Sequence, residues 1–309
     1  MKIPRRTFLG SSILGMGGFL LGRRGFAQEA PAPAGFDPYE KVALGKTGLK
    51  VSRVGLGTGM RGGNQQSNQT RLGKEKFSEL IAGCFERGIN WFDMADLYGS
   101  HPYVLPALNG VERDKVVLVS KIWLGRAGVA IPQEERLDVG KTIDRFLKEI
   151  GTDYLDLVLL HCMTDKNWPS RYETQMTVLD QLKKKGVVRA HGVSCHSLDA
   201  LKTAAAEPWV DSVHARINPY GTSMDGEPDV VVPVLEQIHA AGKGVVGMKL
   251  IGEGRFRDSD LKRNYSVEFV LNLGTVDTMV VGFENLEEVD DFARRVRMAI
   301  RRPVRDTVA

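Results

Sequence analysis

The chain has 309 residues and a formal net charge of +4, from 42 basic and 38 acidic side chains. Lys2, Arg5, Arg6, Arg23 and Arg24 all lie in an acid-free opening stretch, residues 1–27, so the remainder stands near −1. A nearly neutral body of roughly 280 residues gives no electrostatic ground for nucleic acid or an anionic membrane as partner, and is long enough to bury one large core.

Residues 4–12 read PRRTFLGSS and lead into the apolar run ILGMGGFLLG. A basic start, a short apolar stretch and a small-residue end describe an export signal, and Arg5-Arg6-Thr7-Phe8-Leu9 resembles the twin-arginine (Tat) type. The run is short and glycine-rich for a membrane span, so no stable span is expected in the mature chain. The sequence therefore predicts a signal peptide over 1–27, a linker over 28–38, and a body over 39–309. The Tat export machinery is then an expected partner and the periplasm the expected compartment. An uncleaved anchor is the alternative.

VALGKTGLKVSRVGLGTG, with Gly45-Lys46-Thr47-Gly48 at its turn, predicts a hairpin running into a first strand that ends near Thr58. Short β-branched runs then alternate with helical periods: NWFDMA, VVLVSKI, DYLDLVLLH, VRAHGVS, DSVHARIN, GVVGMKL and VDTMVVGF. Gly88, Gly151, Gly186, Gly242 and Gly274 stand just before the next strand, where a left-handed helix terminus is needed. Eight such units predict an α/β fold, a single-domain (β/α)8 TIM barrel preceded by a β-hairpin. No GxGxxG turn follows the first strand, which argues against a doubly wound sheet.

Barrels of this kind carry their chemistry at the C-terminal ends of the strands. Asp93 and Tyr98 fall after the second strand, Lys121 ends the third, and His161 ends the fourth. Each alone has a bland reading as a cap, a packed ring, a snorkelling lysine or a core histidine. Together they suit protonation of a carbonyl. A lysine near a phenol is expected to lower the Tyr98 pKa, with Asp93 fixing Lys121 and His161 polarising the carbonyl oxygen. Nothing in the set is a strong nucleophile or has metal-ligand spacing, so no metal is expected.

These residues, together with LGKTGLKVSRVGLGTG, GINWFDMADLYG, SKIW, LDLVLLH, GVVRAHGVS and VVGFENLEEVDD, make the chain resemble the aldo-keto reductases over the whole predicted body. The resemblance implies NAD(P)(H) as cofactor, bound without a Rossmann fold, and oxidoreductase action on an aldehyde or ketone, with Tyr98 as general acid. It implies cofactor contacts at Gly57, Thr58, Asp93, Ser194, Cys195, His214, Met248, Lys249, Gly282, Glu284 and Glu288.

Several of these depart from the family pattern. Cys195 stands for the usual Asn, His214 for Gln, and Met248 for an aromatic residue. Glu284, Glu288 and Phe292 stand where NADP-dependent members present basic and amide side chains. Carboxylates repel a phosphate, so NAD(H) is the expected preference, unless Arg255, Arg257 or Lys249 close over the phosphate instead. Polar and aromatic loops at 60–71, 122–132, around Trp168, and 218–228 are the expected source of substrate contacts. Cys162 and Cys195 are expected to face opposite ways as buried small residues, a disulfide between them being the alternative. The altered positions also leave open a nucleotide-binding sensor or scaffold with a vestigial tetrad.

Overall fold

The structure, a computed structural model, describes residues 35–126 and 129–302. The expected signal peptide lies outside the described residues, and among them no helix is long and apolar enough to cross a membrane.

The hairpin is built by β1 (Lys41–Ala43) and β2 (Lys50–Ser52), paired antiparallel. The eight strands that follow are β3 (Val54–Gly57), β4 (Trp91–Asp93), β5 (Val117–Ile122), β6 (Leu155–Met163), β7 (Val188–Cys195), β8 (Ser212–Arg216), β9 (Gly244–Met248) and β10 (Thr278–Gly282). They pair in parallel in chain order, and β10 closes on β3, giving a complete barrel. Closure leaves the barrel sheet without a free edge.

Two apolar layers follow from strand alternation. Inward residues Trp91, Val117, Val119, Leu157, Leu159, Ala190 and Val246 fill the barrel, and Leu44, Leu49 and Val51 of the hairpin join the same cluster. The hairpin thus plugs the barrel, held by a bond from Lys46 N to Gly242 O at 2.8 Å. Outward residues pack under the helices: in α1 (Val139–Ile150), the face Val139, Ile143, Phe146 and Ile150 is buried at helical spacing. Asp138 caps that helix by accepting from Lys141 N at 3.1 Å, and Gly151 ends it at φ 81°. All five expected helix-ending glycines have positive φ, from 70° to 105°.

One strand is irregular where the site begins. The register of β6 on β7 shifts between Leu160 and Met163, and Cys162 takes a left-handed φ of 62°. Its N–H leaves the ladder and donates to Ser194 Oγ at 2.8 Å.

Candidate active site

Alternation along the strands puts Asp93, Lys121, His161, Ser194 and His214 on the inner face, above the apolar filling. Lys121 Nζ donates to Asp93 Oδ2 at 2.6 Å and to Met94 O at 2.8 Å. Both side chains are almost fully buried, at 3% and 7% exposure, so each charge depends on the other. Burial alone would raise the Asp93 pKa, but Lys121 and His214 outweigh it and hold the carboxyl at about 2. Tyr98 sits on a short 3₁₀ turn, Asp96–Tyr98, that leaves β4 and ends at Gly99 with φ 66°. Its hydroxyl lies 3.4 Å from His161 Nε2, and the two rings meet edge-on. Trp123 packs its ring against the other side of His161, with centroids 5.8 Å apart. The four residues, carried by the ends of three neighbouring strands, are thus brought together.

One expectation is corrected. Lys121 does not lower the Tyr98 pKa; the phenol is pushed well above its ordinary value by burial, and then by Asp93. The reason is placement: Lys121 Nζ lies over the ring face, 4.8 Å from its centroid, with its charge already taken up by Asp93. Tyr98 is therefore a neutral phenol at physiological pH. Burial, and then Lys121, push the His161 pKa well below its usual value, so its imidazole is neutral too. A neutral donor beside a neutral imidazole can hand a proton to a developing alkoxide without holding charge in the resting site.

The sequence profile described as the Aldo/keto reductase family matches residues 53–295. The chain belongs to the aldo/keto reductase family. It is 28% identical over 246 residues to Aldo-keto reductase YhdN of Bacillus subtilis (strain 168), covering 74% of this chain and 70% of that one. It is 25% identical over 206 residues to the NADH-specific methylglyoxal reductase of Escherichia coli (strain K12), covering 61% of this chain and 62% of that one. The solved structure of an aldo-keto reductase of Pseudomonas aeruginosa superposes with a TM-score of 0.70 at 25% identity, covering 87% of this chain and 99% of that one. The barrel is therefore that of an oxidoreductase acting on carbonyl compounds.

The residues at the inner end of the groove of this aldo-keto reductase fit a nicotinamide dinucleotide. His214 is fully buried, and its Nδ1 has no partner among the described residues. Ser194 offers a hydroxyl on the same inner face. Gly57 lies close against β10, where a Cβ would meet Val280 Cγ2 at 3.0 Å. When bound, the dinucleotide supplies hydride.

The other cofactor positions are placed as follows. Thr58 is buried and bonds Asp93 O at 2.8 Å and Ser100 Oγ at 2.7 Å, so it braces the Asp93 backbone. Cys195 faces outward into the core under the helices, one residue past inward Ser194. Met248 is 9% exposed at the end of β9, and Lys249 turns at φ 63° to pair with Glu253 at 2.6 Å. Gly282 lies against Met60, whose Cγ a Cβ would meet at 2.3 Å. Glu284 accepts from Asn68 Nδ2 at 2.5 Å, and Glu288 accepts from Glu284 N at 2.8 Å. Of the alternative phosphate ligands, Arg255 donates to Ser223 at 2.7 Å, and Arg257 lies 3.6 Å from Asp258. Cys84, Cys162 and Cys195 are all free thiols.

Sequence reasoning missed three supports. Gly59 and Gly62 press on the Tyr98 ring, where a Cβ on either would come within 2.3 Å or 2.6 Å of ring carbons. Buried Arg136 gathers the loop after β5, donating to Gly125 O at 2.8 Å, to Ile131 O at 3.0 Å and to Trp123 O. Behind the site, His101 bridges Ser120 Oγ at 2.8 Å and Glu149 at 2.6 Å, and Arg145 links Glu149 to Asp96. The glycine spacing in GTGMRGG was the one signal that could have flagged a close approach.

Proposed function

We propose that this protein is an NAD(P)(H)-dependent reductase of small aldehydes or ketones, with Tyr98 as the proton donor, exported folded by the twin-arginine route. The observation that carries the chemistry is the convergence of the Tyr98 hydroxyl and His161 Nε2, 3.4 Å apart, above the Lys121–Asp93 pair. Asp93 fixes Lys121, Lys121 lies against the phenol ring, and His161 orients the carbonyl oxygen toward the Tyr98 hydroxyl. In reduction the phenol gives its proton to that oxygen and becomes a phenolate; in oxidation the phenolate takes the proton of the alcohol.

NAD(H) is the preferred nucleotide in this reading. Support comes from Glu284 and Glu288 at the start of the last described helix, and from the NADH-specific relative, whose named substrate, methylglyoxal, also suggests small oxoaldehydes as first substrates to test. The opening PRRTFLG supports periplasmic export. Since free nicotinamide nucleotide is not expected outside the cytoplasm, export of a folded protein would carry the nucleotide along as a resident group.

Isolating the protein from the exported fraction, denaturing it and identifying released nucleotide by mass spectrometry tests this. Stoichiometric NAD is expected. No nucleotide in the exported protein, with weak rebinding, would sink the resident-cofactor reading.

A further inference from the structure

Asp93 serves two donors. While Oδ2 takes Lys121, Oδ1 faces His214 Nε2 at 3.2 Å. His214 comes from β8, on the far side of the barrel interior, and its ring stands edge-on to Trp91 at 6.3 Å and 87°. Trp91 is itself fixed by a bond from Nε1 to Ser52 O at 3.0 Å, and seated against Gly55, where a Cβ would meet its ring at 1.9 Å. The imidazole therefore has one position, fully buried.

That geometry sets the tautomer. An ionised carboxylate only accepts, so Nε2 must carry the hydrogen, and the neutral ring keeps a bare lone pair on Nδ1. Nδ1 is the buried atom with no partner. The charged and titratable groups around His214 are Asp93 from β4, Lys121 from β5 and His161 from β6. Cys162 adds to the field at Tyr98, and Lys249 to that at Lys121.

We propose that His214 is a positioning residue for the Tyr98 proton donor: through Nε2–H it takes up part of the Asp93 carboxylate charge that otherwise bears on the phenol. The proposal rests on the reading of Tyr98 as the proton donor. An amide at this position can make the same donation, but it cannot couple a rigid ring to Trp91. Without a donor at 214, the negative charge of Asp93 concentrates on its own oxygens. The Tyr98 phenolate is then disfavoured, so alcohol oxidation, in which the phenolate must take a proton, needs a higher pH.

Two measurements test this. Nitrogen-15 NMR of the imidazoles of the full-length wild-type protein should show His214 with Nε2 protonated and Nδ1 bare, unchanged from pH 5 to 9; an Nδ1–H tautomer or an imidazolium overturns the proposal. The pH profile of kcat for oxidation of a small alcohol is compared for wild type, His214→Leu and His214→Gln. Its ascending limb should move up by about one pH unit in His214→Leu, the equivalent of tenfold less phenolate at a given pH, and return in His214→Gln. An unmoved limb in His214→Leu, with the expected tautomer present, overturns the proposal alone. A wild-type protein with the expected tautomer and no carbonyl turnover removes the functional reading, and the proposal with it.

Discussion

Asp93 accepts from Lys121 and His214 at once, and its depressed pKa is a statement about stability as well as chemistry. A carboxyl at about 2 in the folded chain and near 3.9 when unfolded contributes roughly 2–3 kcal/mol. The folded value is the lower one, so this contribution is present above pH ~4 and lost as pH falls toward 2. Urea titrations from pH 5 to 2 should show that loss in wild type and a flatter dependence in Asp93→Asn. Lys121→Met leaves a buried carboxylate with only His214, and should cost about 3–5 kcal/mol in the same assay. Asp93, Lys121 and His161 were legible in the sequence because alternation and strand length fix where they point, whereas Tyr98 is placed by the 3₁₀ turn after β4. The burial of Cys195 was legible too, since alternation from inward Ser194 turns it into the core under the helices. The His214–Asp93 bond was not, since it depends on depth across the barrel interior.

The loops position the chemistry, and they hold it by close approach. Gly59 and Gly62 leave room for the Tyr98 ring, and Gly99 accepts both φ 66° and the carbonyl of Gln65, which a Cβ would meet at 1.9 Å. Gly59→Ala should displace Tyr98 and lower kcat at least tenfold with an unchanged circular dichroism spectrum, since small misplacements of a catalytic group carry large rate costs. Arg136→Met frees the loop that carries Trp123 and should raise KM severalfold more than it lowers kcat, measured by initial rates. Strands and helices were readable from periodicity and from glycines such as Gly151 and Gly274. Loop conformation was not, because it is set by tertiary contacts such as Arg136 to Trp123 O rather than by local propensity.

At the scale of the molecule, the barrel separates stability from function. The plugged end relies on Leu44, Leu49 and Val51 against the inner core, and Leu44→Ala should cost about 2–5 kcal/mol in urea unfolding while leaving kcat intact. The open end carries every residue of the proposed chemistry. Eight alternating units made the barrel legible, whereas the partners of Glu284 and Glu288, Asn68 and the Glu284 backbone, were not, since they are set by the loops that meet there. The most direct measurement is a single-turnover assay following NADH absorbance on mixing with methylglyoxal, for wild type and Tyr98→Phe, beside NADH binding by fluorescence. Wild type should consume NADH, and Tyr98→Phe should bind it equally well but react roughly 10²–10⁴-fold more slowly. Equal rates in the two proteins would contradict the assignment of Tyr98 as the proton donor.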